Sequence, residues 1–329
     1  MLTLIKAHGS GNQFFLLDQN QLTQPLTINA LTRLARQLCH PQTGLLGGAD
    51  GLLVIASSTI PDCLGAMRVF NADGSEAKMC GNGLRTVSRY LAEKTGKSRF
   101  RITTLEANLN VTRSANLAPN VPAFSVQIAP ISMAAMDLPL AYHQLPELLN
   151  VPIPEFAAHQ TFTAIAVPNP HLISFVDQIS LDTLGELGQR LNAPNSYFPE
   201  GVNVSFAKIL GPNRLFVQTY ERGVGFTNAC GTGMSATSLA FAMQHPTQFD
   251  PTSDLTVLNP GGLVKTHVTL GKTVATSTLR LIGNATFTAK VTLTEKDLRT
   301  GSFAQAHIDT TNEEAAYQTF IHHAKQTVL

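Results

Sequence analysis

Tryptophan is absent from this 329-residue chain, and charge is scarce: 14% of residues are Asp, Glu, Lys or Arg, and they nearly cancel to a net +1. Such a balance offers no basic field to a nucleic acid or an anionic membrane. Cysteine is rare too. The four present are Cys39, Cys63, Cys80 and Cys230. None forms a Cys-x-x-Cys pair, so zinc spacing is missing and no metal site is expected. No uncharged apolar run reaches the roughly 18 residues of a membrane span, and residues 1–10 (MLTLIKAHGS) lack the long apolar core of a signal peptide. These absences lead to the expectation of a cytoplasmic protein with reduced thiols, no membrane association and no nucleic-acid partner. What is present is ample apolar material, 43% of the residues, in a chain long enough for about two domains and a sizeable core.

Short β-branched and aromatic runs dominate, punctuated by Gly, Pro and Asn. They include LTLI (2–5), FFLLD (14–18), LLVI (52–55), MRVF (67–70), FRITT (100–104) and FSVQI (124–128). A second series follows: FTAIAV (162–167), HLISFV (171–176), GVNVSFAKI (201–209), RLFVQTY (214–220), then LTVL, LVKTHVTL, STLRLI and ATFTAKVTL. Helices are expected after Cys80 and after Cys230, with weaker candidates at 30–38, 143–149, 181–191 and 312–327. The Pro/Met/Ala-rich stretch APISMAAMDLPL (129–140) divides the two series.

Across that divide the chain repeats itself. NADGSEAKMCGNGLR (71–85) and ERGVGFTNACGTGMSA (221–236) each run into a cysteine, a Gly-x-Gly and an apolar segment. At an offset of 150 residues Cys80 overlays Cys230, Gly81 overlays Gly231, Gly83 overlays Gly233, and Asn71 overlays Glu221. The pattern predicts two similar lobes, each a mostly antiparallel sheet wrapped around one helix.

A cysteine placed there sits at a helix N-terminus, where unpaired N–H groups and the dipole stabilise an anion. The expectation is a thiolate-favouring environment, with glycines that let backbone N–H groups approach a bound carboxylate. Between Gly223 and Phe249 there is no Asp, Glu, Lys or Arg, so the second helix reads as buried on all faces. The first is more amphipathic, with Leu84, Val87 and Leu91 on one face. One such corner could serve a nucleophile, a redox thiol or an anion site. Two related corners suit inversion of a carbon stereocentre, one thiolate removing a proton while the opposed thiol delivers one. A redox or thiol-sensing protein and an amino-acid-sensing binder remain the rival classes.

The two cysteine motifs resemble the signatures of diaminopimelate epimerase, a cofactor-independent amino-acid epimerase family. HGSGNQFFLLD (8–18), GGADGLL (47–53), VPNPHLISFV (167–176), FPEGVNVSF (198–206) and NPGGLV (259–264) occur in the family's order, and the likeness spans roughly residues 4–290. The resemblance implies an α+β fold of two pseudo-symmetric lobes, each a barrel-like sheet around a central helix, with the site in the cleft between. It implies that the last strand, near 285–293, returns to the first lobe. The lobes would then be 1–130 plus about 284–329, and 131–283. It also implies a homodimer that needs no cofactor, acts on a small amino-acid substrate, and converts LL-diaminopimelate to the meso form for lysine and peptidoglycan. By the same resemblance Cys80 and Cys230 are the acid/base pair, and His171 and Glu221 tune them, His171 as a group titrating near neutrality. Gly81, Asn82, Gly231 and Thr232 would hold the reacting carboxylate. Asn12, Asn71, Asn169, Asn203, Glu221 and Arg222 would bind substrate. A distal carboxylate suits Arg222 and a distal ammonium suits Asn carbonyls. Taken alone, Asn203 alternates against Val202, Val204 and Phe206 and points to solvent or to a cleft.

The chain departs from the pattern in places. Phe226 stands where the family carries Glu, Gln13 replaces an Asp, and GLLGGADG (44–51) is long. TTLEANLNV (103–111) lacks an expected glycine. Residues 294–329 run past the family's end and read as an amphipathic or partly disordered tail. The Phe226 change keeps a racemase of another amino acid, such as histidine, as the alternative activity.

Overall fold

A computed structural model describes residues 1–326 of the chain. Contacts divide it into two compact units, 1–126 with 283–326, and 127–282. The first begins with β1 (Leu2–Gly9) and β2 (Asn12–Asp18), then α1 (Ile28–Leu38), β3 (Gly51–Ala56), β4 (Cys63–Asn71) and the short β5 (Glu76–Ala77). After these come α2 (Gly81–Thr95), β6 (Arg99–Thr103), β7 (Asn108–Ala118) and β8 (Val121–Gln127). β1 pairs antiparallel with β2 and β3 with β4, whereas β2–β3 and β4–β6 are parallel, with α1 and α2 as the respective crossovers.

The second unit has β9 (Val151–Pro152), β10 (Thr161–Ala166), β11 (Pro170–Phe175), α3 (Leu181–Asn192), β12 (Asn203–Gly211), β13 (Arg214–Glu221) and β14 (Gly225–Thr227). It continues through α4 (Gly231–Gln244), β15 (Leu255–Asn259), β16 (Gly262–Thr269) and β17 (Thr278–Asn284). Its connections repeat those of the first: β10–β11 antiparallel, β11–β12 parallel across α3, β12–β13 antiparallel, β13–β15 parallel across α4. The result is a mixed α+β fold rich in sheet and poor in helix.

Each sheet buries two different helical faces. On one side, α1 lays Leu31, Leu34 and Leu38 on Phe15, Leu17, Leu52 and Phe70. In the second unit, α3 lays Leu184, Leu187 and Leu191 on Phe162, Leu172 and Phe206. These are ordinary amphipathic helices, capped by Thr27 and Ser180 hydroxyls. On the other side, α4 touches β10, β11, β12, β13, β15 and β16 and is buried along nearly its whole length. Its charge-free sequence permits this. The hydroxyls of Ser235, Thr237 and Ser238 donate to carbonyls four residues back, at 2.8 Å each, so no polar group is stranded.

β18 (Thr286–Leu293) pairs antiparallel with β1. The residues after it form α5 (Glu295–Thr300), β19 (His307–Thr310), paired with β18, and α6 (Glu313–Gln326). The helix expected near 312–327 is thus present as α6, whereas the expectation of partial disorder is corrected for residues 294–326, which are tied into the first unit. Glu313 receives both terminal nitrogens of Arg89, at 2.5 and 2.6 Å, and the Phe287 N–H at 2.9 Å. Glu314 pairs with His8 at 2.9 Å, and Tyr317 stacks edge-on against His8. Residue 327, at the end of the expected last helix, lies outside the described residues. The helix expected at 143–149 is absent: the segment is turn and bend, and two of its residues, His143 and Gln144, have left-handed φ values that break a helix. Among the described residues no helix is long and apolar enough to cross a membrane.

Candidate active site

Both cysteines are helix N-caps. Cys80 and Cys230 have extended backbone, and each sulfur accepts the N–H of the third helical residue, Gly83 or Gly233, at 3.3 Å. Ser, Thr or Asp commonly fills this position; here a thiol takes it. The glycine in each pair is needed for space. A Cβ on Gly233 would stand 3.0 Å from Thr219 Oγ1 and 3.2 Å from Cys230 Sγ, and one on Gly83 would meet Leu53 at 2.8 Å. Each cysteine is delivered by the same device, a hairpin whose short return strand (β5 or β14) pairs back on the long one (β4 or β13).

In the first unit Cys80 is half-buried, with its sulfur 3.9 Å from Asn12 Oδ1. Asn82 Nδ2 lies 3.4 Å from the same oxygen. Asn12 in turn donates to Asp50 at 2.6 Å, and Asp50 also receives the Gln13 N–H at 2.7 Å. Asp50 was not among the expected site residues; it lies in the GADG stretch, and it orients the amide that meets the sulfur. Asn82 is buried and its Oδ1 has no hydrogen-bond partner. Gly81 opens α2 beside it. Asn71, exposed at the end of β4, donates to Ser75 Oγ at 2.9 Å and closes the β4–β5 turn. Gln13, in place of an Asp, contributes its backbone and leaves its side chain exposed.

The second unit gathers Cys230, Gly231, Thr232, Glu221, Arg222, His171, Asn169 and Asn203. Cys230 is buried and its thiol hydrogen-bonds to Glu221; Thr232 Oγ1 is 3.6 Å from the sulfur. The thiolate-favouring expectation fails here. Burial pushes the Cys230 thiol well up, the Glu221 charge adds to the rise, and the hydrogen bonds from Thr232 and Gly233 only partly offset them. Glu221 is likewise raised by burial, against hydrogen bonds from Thr227 and Cys230. Thr227 was missed by sequence reasoning; only the β13–β14 register, Thr219 opposite Thr227, brings it back to Glu221.

His171 is completely buried, and burial drives it down to about 3, with the Arg222 charge pushing the same way. It is therefore a neutral imidazole at physiological pH and does not titrate near neutrality as expected. With Asn169 Oδ1 3.2 Å from Nε2, the Nε2–H is the donor and Nδ1 is left without a partner. Asn203 sits opposite His171 on β12 and is buried. Its amide is committed to the backbone, donating to Pro170 O at 3.0 Å and accepting the Arg222 N–H at 2.9 Å. Arg222 is exposed, its guanidinium holding Glu200 O at 3.0 Å. Phe226 is 46% exposed and packs edge-on against Tyr220 and over Gly185 of α3. An aromatic contact thus anchors the hairpin.

The chain matches the diaminopimelate epimerase family over residues 4–120 and 163–282. It is 48% identical to a diaminopimelate epimerase of Ligilactobacillus salivarius, covering 97% of this chain and 98% of that protein. It is 46% identical to one of Enterococcus faecalis, with 96% of each covered, and 44% identical to one of Listeria monocytogenes, with 98% and 96% covered. Among solved structures, a Bacillus anthracis phenazine biosynthesis protein of the PhzF family superposes with a TM-score of 0.62 at 16% identity, covering 88% of this chain and 98% of that one. A methylitaconate-delta-isomerase superposes with a TM-score of 0.62 at 14% identity, covering 93% and 98%. These two likenesses speak to the fold.

Proposed function

The chain belongs to the diaminopimelate epimerase family, and from that premise we propose that it interconverts LL- and meso-diaminopimelate with two cysteines as proton carriers. The observation that carries the reading is the twofold occurrence of a cysteine N-cap over a Gly-x-Gly, each sulfur held by a helical N–H at 3.3 Å. In the reaction, the Cys80 thiolate takes the α-proton from one face of the substrate. The C–H electron pair passes into the carboxylate, and the Cys230 S–H gives its proton to the opposite face. The reverse reaction exchanges the roles. This requires the two units to act as pseudo-symmetric lobes, with boundaries near 130 and 284, that present both thiols to one carbon.

Cys230 is suited to the thiol role because it rests protonated against Glu221. After it donates, the thiolate keeps the Gly233 N–H and the positive end of α4, and Glu221 orients the returning proton. N–H groups at Gly81–Asn82 and Gly231–Thr232 receive the negative charge that builds on the carboxylate. Neutral His171 leaves an Nδ1 lone pair for a donor, the substrate ammonium being the chemical match. Arg222 takes the distal carboxylate, and Asn12, Asn71 and Asn169 the distal amino end. Asn203 acts by fixing the Arg222 backbone. The protein works as a cytoplasmic homodimer, for which sedimentation is the check.

Turnover of LL-diaminopimelate in deuterated water tests the chemistry. Meso product carrying deuterium at one α-carbon is expected, with Cys80→Ser and Cys230→Ser each losing most epimerisation. Exchange into histidine but not diaminopimelate would replace this reading with a single-centre racemase.

A further inference from the structure

Behind Cys80, on the first turns of α2, lies a buried cation with no counter-ion. The Arg85 side chain is 0% exposed. Its Nε donates to Asn284 O at 3.1 Å and its Nη2 to Ser10 Oγ at 3.0 Å, both neutral oxygens. Nη1 has no hydrogen-bond partner, and among the described residues no carboxylate pairs with the guanidinium. Burying a guanidinium this way is unfavourable unless something recovers the loss, yet the fold makes room for it. A Cβ on Gly9 would stand 2.9 Å from Nη2, and one on Gly283 would stand 2.9 Å from both Cζ and Nε. Neither glycine is at positive φ; Gly283 leaves its space to Arg85, and Gly9 leaves it to Arg85 and to the Asn82 carbonyl, whose oxygen would stand 2.8 Å from the same Cβ.

Several other charged groups near α2 within this unit have partners, while the buried Lys6 of β1 holds the Leu46 carbonyl at 2.5 Å. Arg89 is paired with Glu93 and Glu313, Asp18 with Lys94 and the Tyr90 hydroxyl, His8 with Glu314, and Lys78 with Glu106. Burial pushes the Tyr317 hydroxyl up, so it stays neutral beside Arg85. Asp50 is a carboxylate tied to the Cys80 corner through Asn12. Arg85 itself, lowered to about 10 by burial, keeps its charge at neutral pH, and Cys80 is among the groups whose charge it feels. The Cys230 helix has no comparable charge, since α4 contains no ionised residue.

We propose that Arg85 is a positioning residue for the reaction: a permanent, desolvated charge that acts through Cys80, favouring its thiolate and making it the corner that rests as the base. The two ends of one turn connect them, Arg85 holding Ser10 and Cys80 meeting Asn12. Arg85 is five residue steps along the helix from Cys80, about 7.5 Å along the axis. At an interior dielectric of about 20, one unit charge at that range changes a thiolate population by roughly tenfold or more. The catalytic meaning rests on Cys80 being a proton carrier as read above; the electrostatic claim does not.

The test is alkylation of the intact protein with iodoacetamide from pH 5 to 10, with mass spectrometry reporting each cysteine separately. This readout needs no turnover, so it fails or succeeds independently of the diaminopimelate reading. In the wild type, the Cys80 midpoint should lie below that of Cys63, the half-exposed thiol on β4. Arg85→Met should slow Cys80 alkylation at pH 7 about tenfold and move its midpoint up, while Cys63 is unchanged. Arg85→Lys should recover most of the effect, and Ser10→Ala, which cuts the tether but keeps the charge, should leave the midpoint in place. A Cys80 midpoint at or above that of Cys63 in the wild type overturns the proposal even if Arg85→Met does not fold. An unmoved midpoint in a folded Arg85→Met protein, or a midpoint moved equally by Ser10→Ala, overturns it as well.

Discussion

Two glycines on one face of α3 should respond in opposite ways to the same substitution. Alanine in a helix interior ordinarily gains about 0.5–1 kcal/mol over glycine. At Gly188 the new methyl has nowhere to go: it would overlap Tyr220 Cγ and stand 2.5 Å from Cδ1 and 2.8 Å from Cβ, at the root of a side chain on β13. The ring cannot swing clear without moving the strand. Overpacking of this kind costs at least about 3 kcal/mol, the upper end of its usual range, so Gly188→Ala should lose about 2 kcal/mol net. For a folding unit the size of residues 127–282, that is a fall of about 4–8 °C in Tm. At Gly185 the methyl meets only the far edge of the Phe226 ring, Cε2 and Cζ at 3.3 Å, and that ring is half in solvent. Gly185→Ala should therefore leave Tm unchanged or raise it by about 1–4 °C. Thermal unfolding followed by circular dichroism reads both. Tyr220 adjoins Glu221, so Gly188→Ala should also lower the epimerisation rate at temperatures where it is folded. A Gly188→Ala protein as stable as the wild type, or a Gly185→Ala protein that loses as much, would refute the packing argument.

Other consequences concern charge. His171 stays neutral down to about 3 while an unfolded His protonates near 6.5, so the unfolded chain takes the proton first and stability is lost as pH falls from 6.5 towards 3; at pH 4.5 the loss is about 2–3 kcal/mol. His171→Gln should flatten the fall of Tm over that window, and an identical acid slope would contradict the burial account. Glu221 has a raised folded pKa, so its ionisation weakens the fold as pH rises above the ordinary carboxylate range. Glu221→Gln should thus be more stable than wild type at pH 8 but not at pH 4, and slower in epimerisation; equal Tm differences at both pH values would count against it. Glu313→Ala strands part of the buried Arg89 charge and removes the acceptor for Phe287 N–H. A loss of about 2–4 kcal/mol is expected, and hydrogen exchange at Phe287 should accelerate; unchanged exchange would show that α6 is not holding that edge.

Several features were readable along the chain because they are local. A cysteine before Gly-x-Gly and a helical run must be an N-cap, since the helix cannot start anywhere else and its first N–H groups need an acceptor. Alternation and β-branching marked most of the strands through β18, but not the short β5, β9 and β14 nor the polar, only partly buried β7. The absence of charge from 223 to 249 marked α4 as buried. Phe226 was legible as a break in the motif, though not as an aromatic packed against Tyr220, because that contact depends on β13, β14 and α3 meeting. Thr227 and Asp50 were overlooked for the same reason: each acts through a partner that only strand register supplies.

The amino-acid order alone settled where the two sulfurs would stand in their helices, because capping is decided within four residues. Tertiary structure alone decided which protons they and their neighbours keep. Desolvation is a property of everything packed around a group, so it could hold Cys230 protonated and His171 neutral against the expectations of helix dipole and reference pKa. The same long-range packing turned residues 294–326 from an apparent tail into the partner of His8 and Arg89. It also left Arg85 charged, enclosed and unpaired behind Cys80.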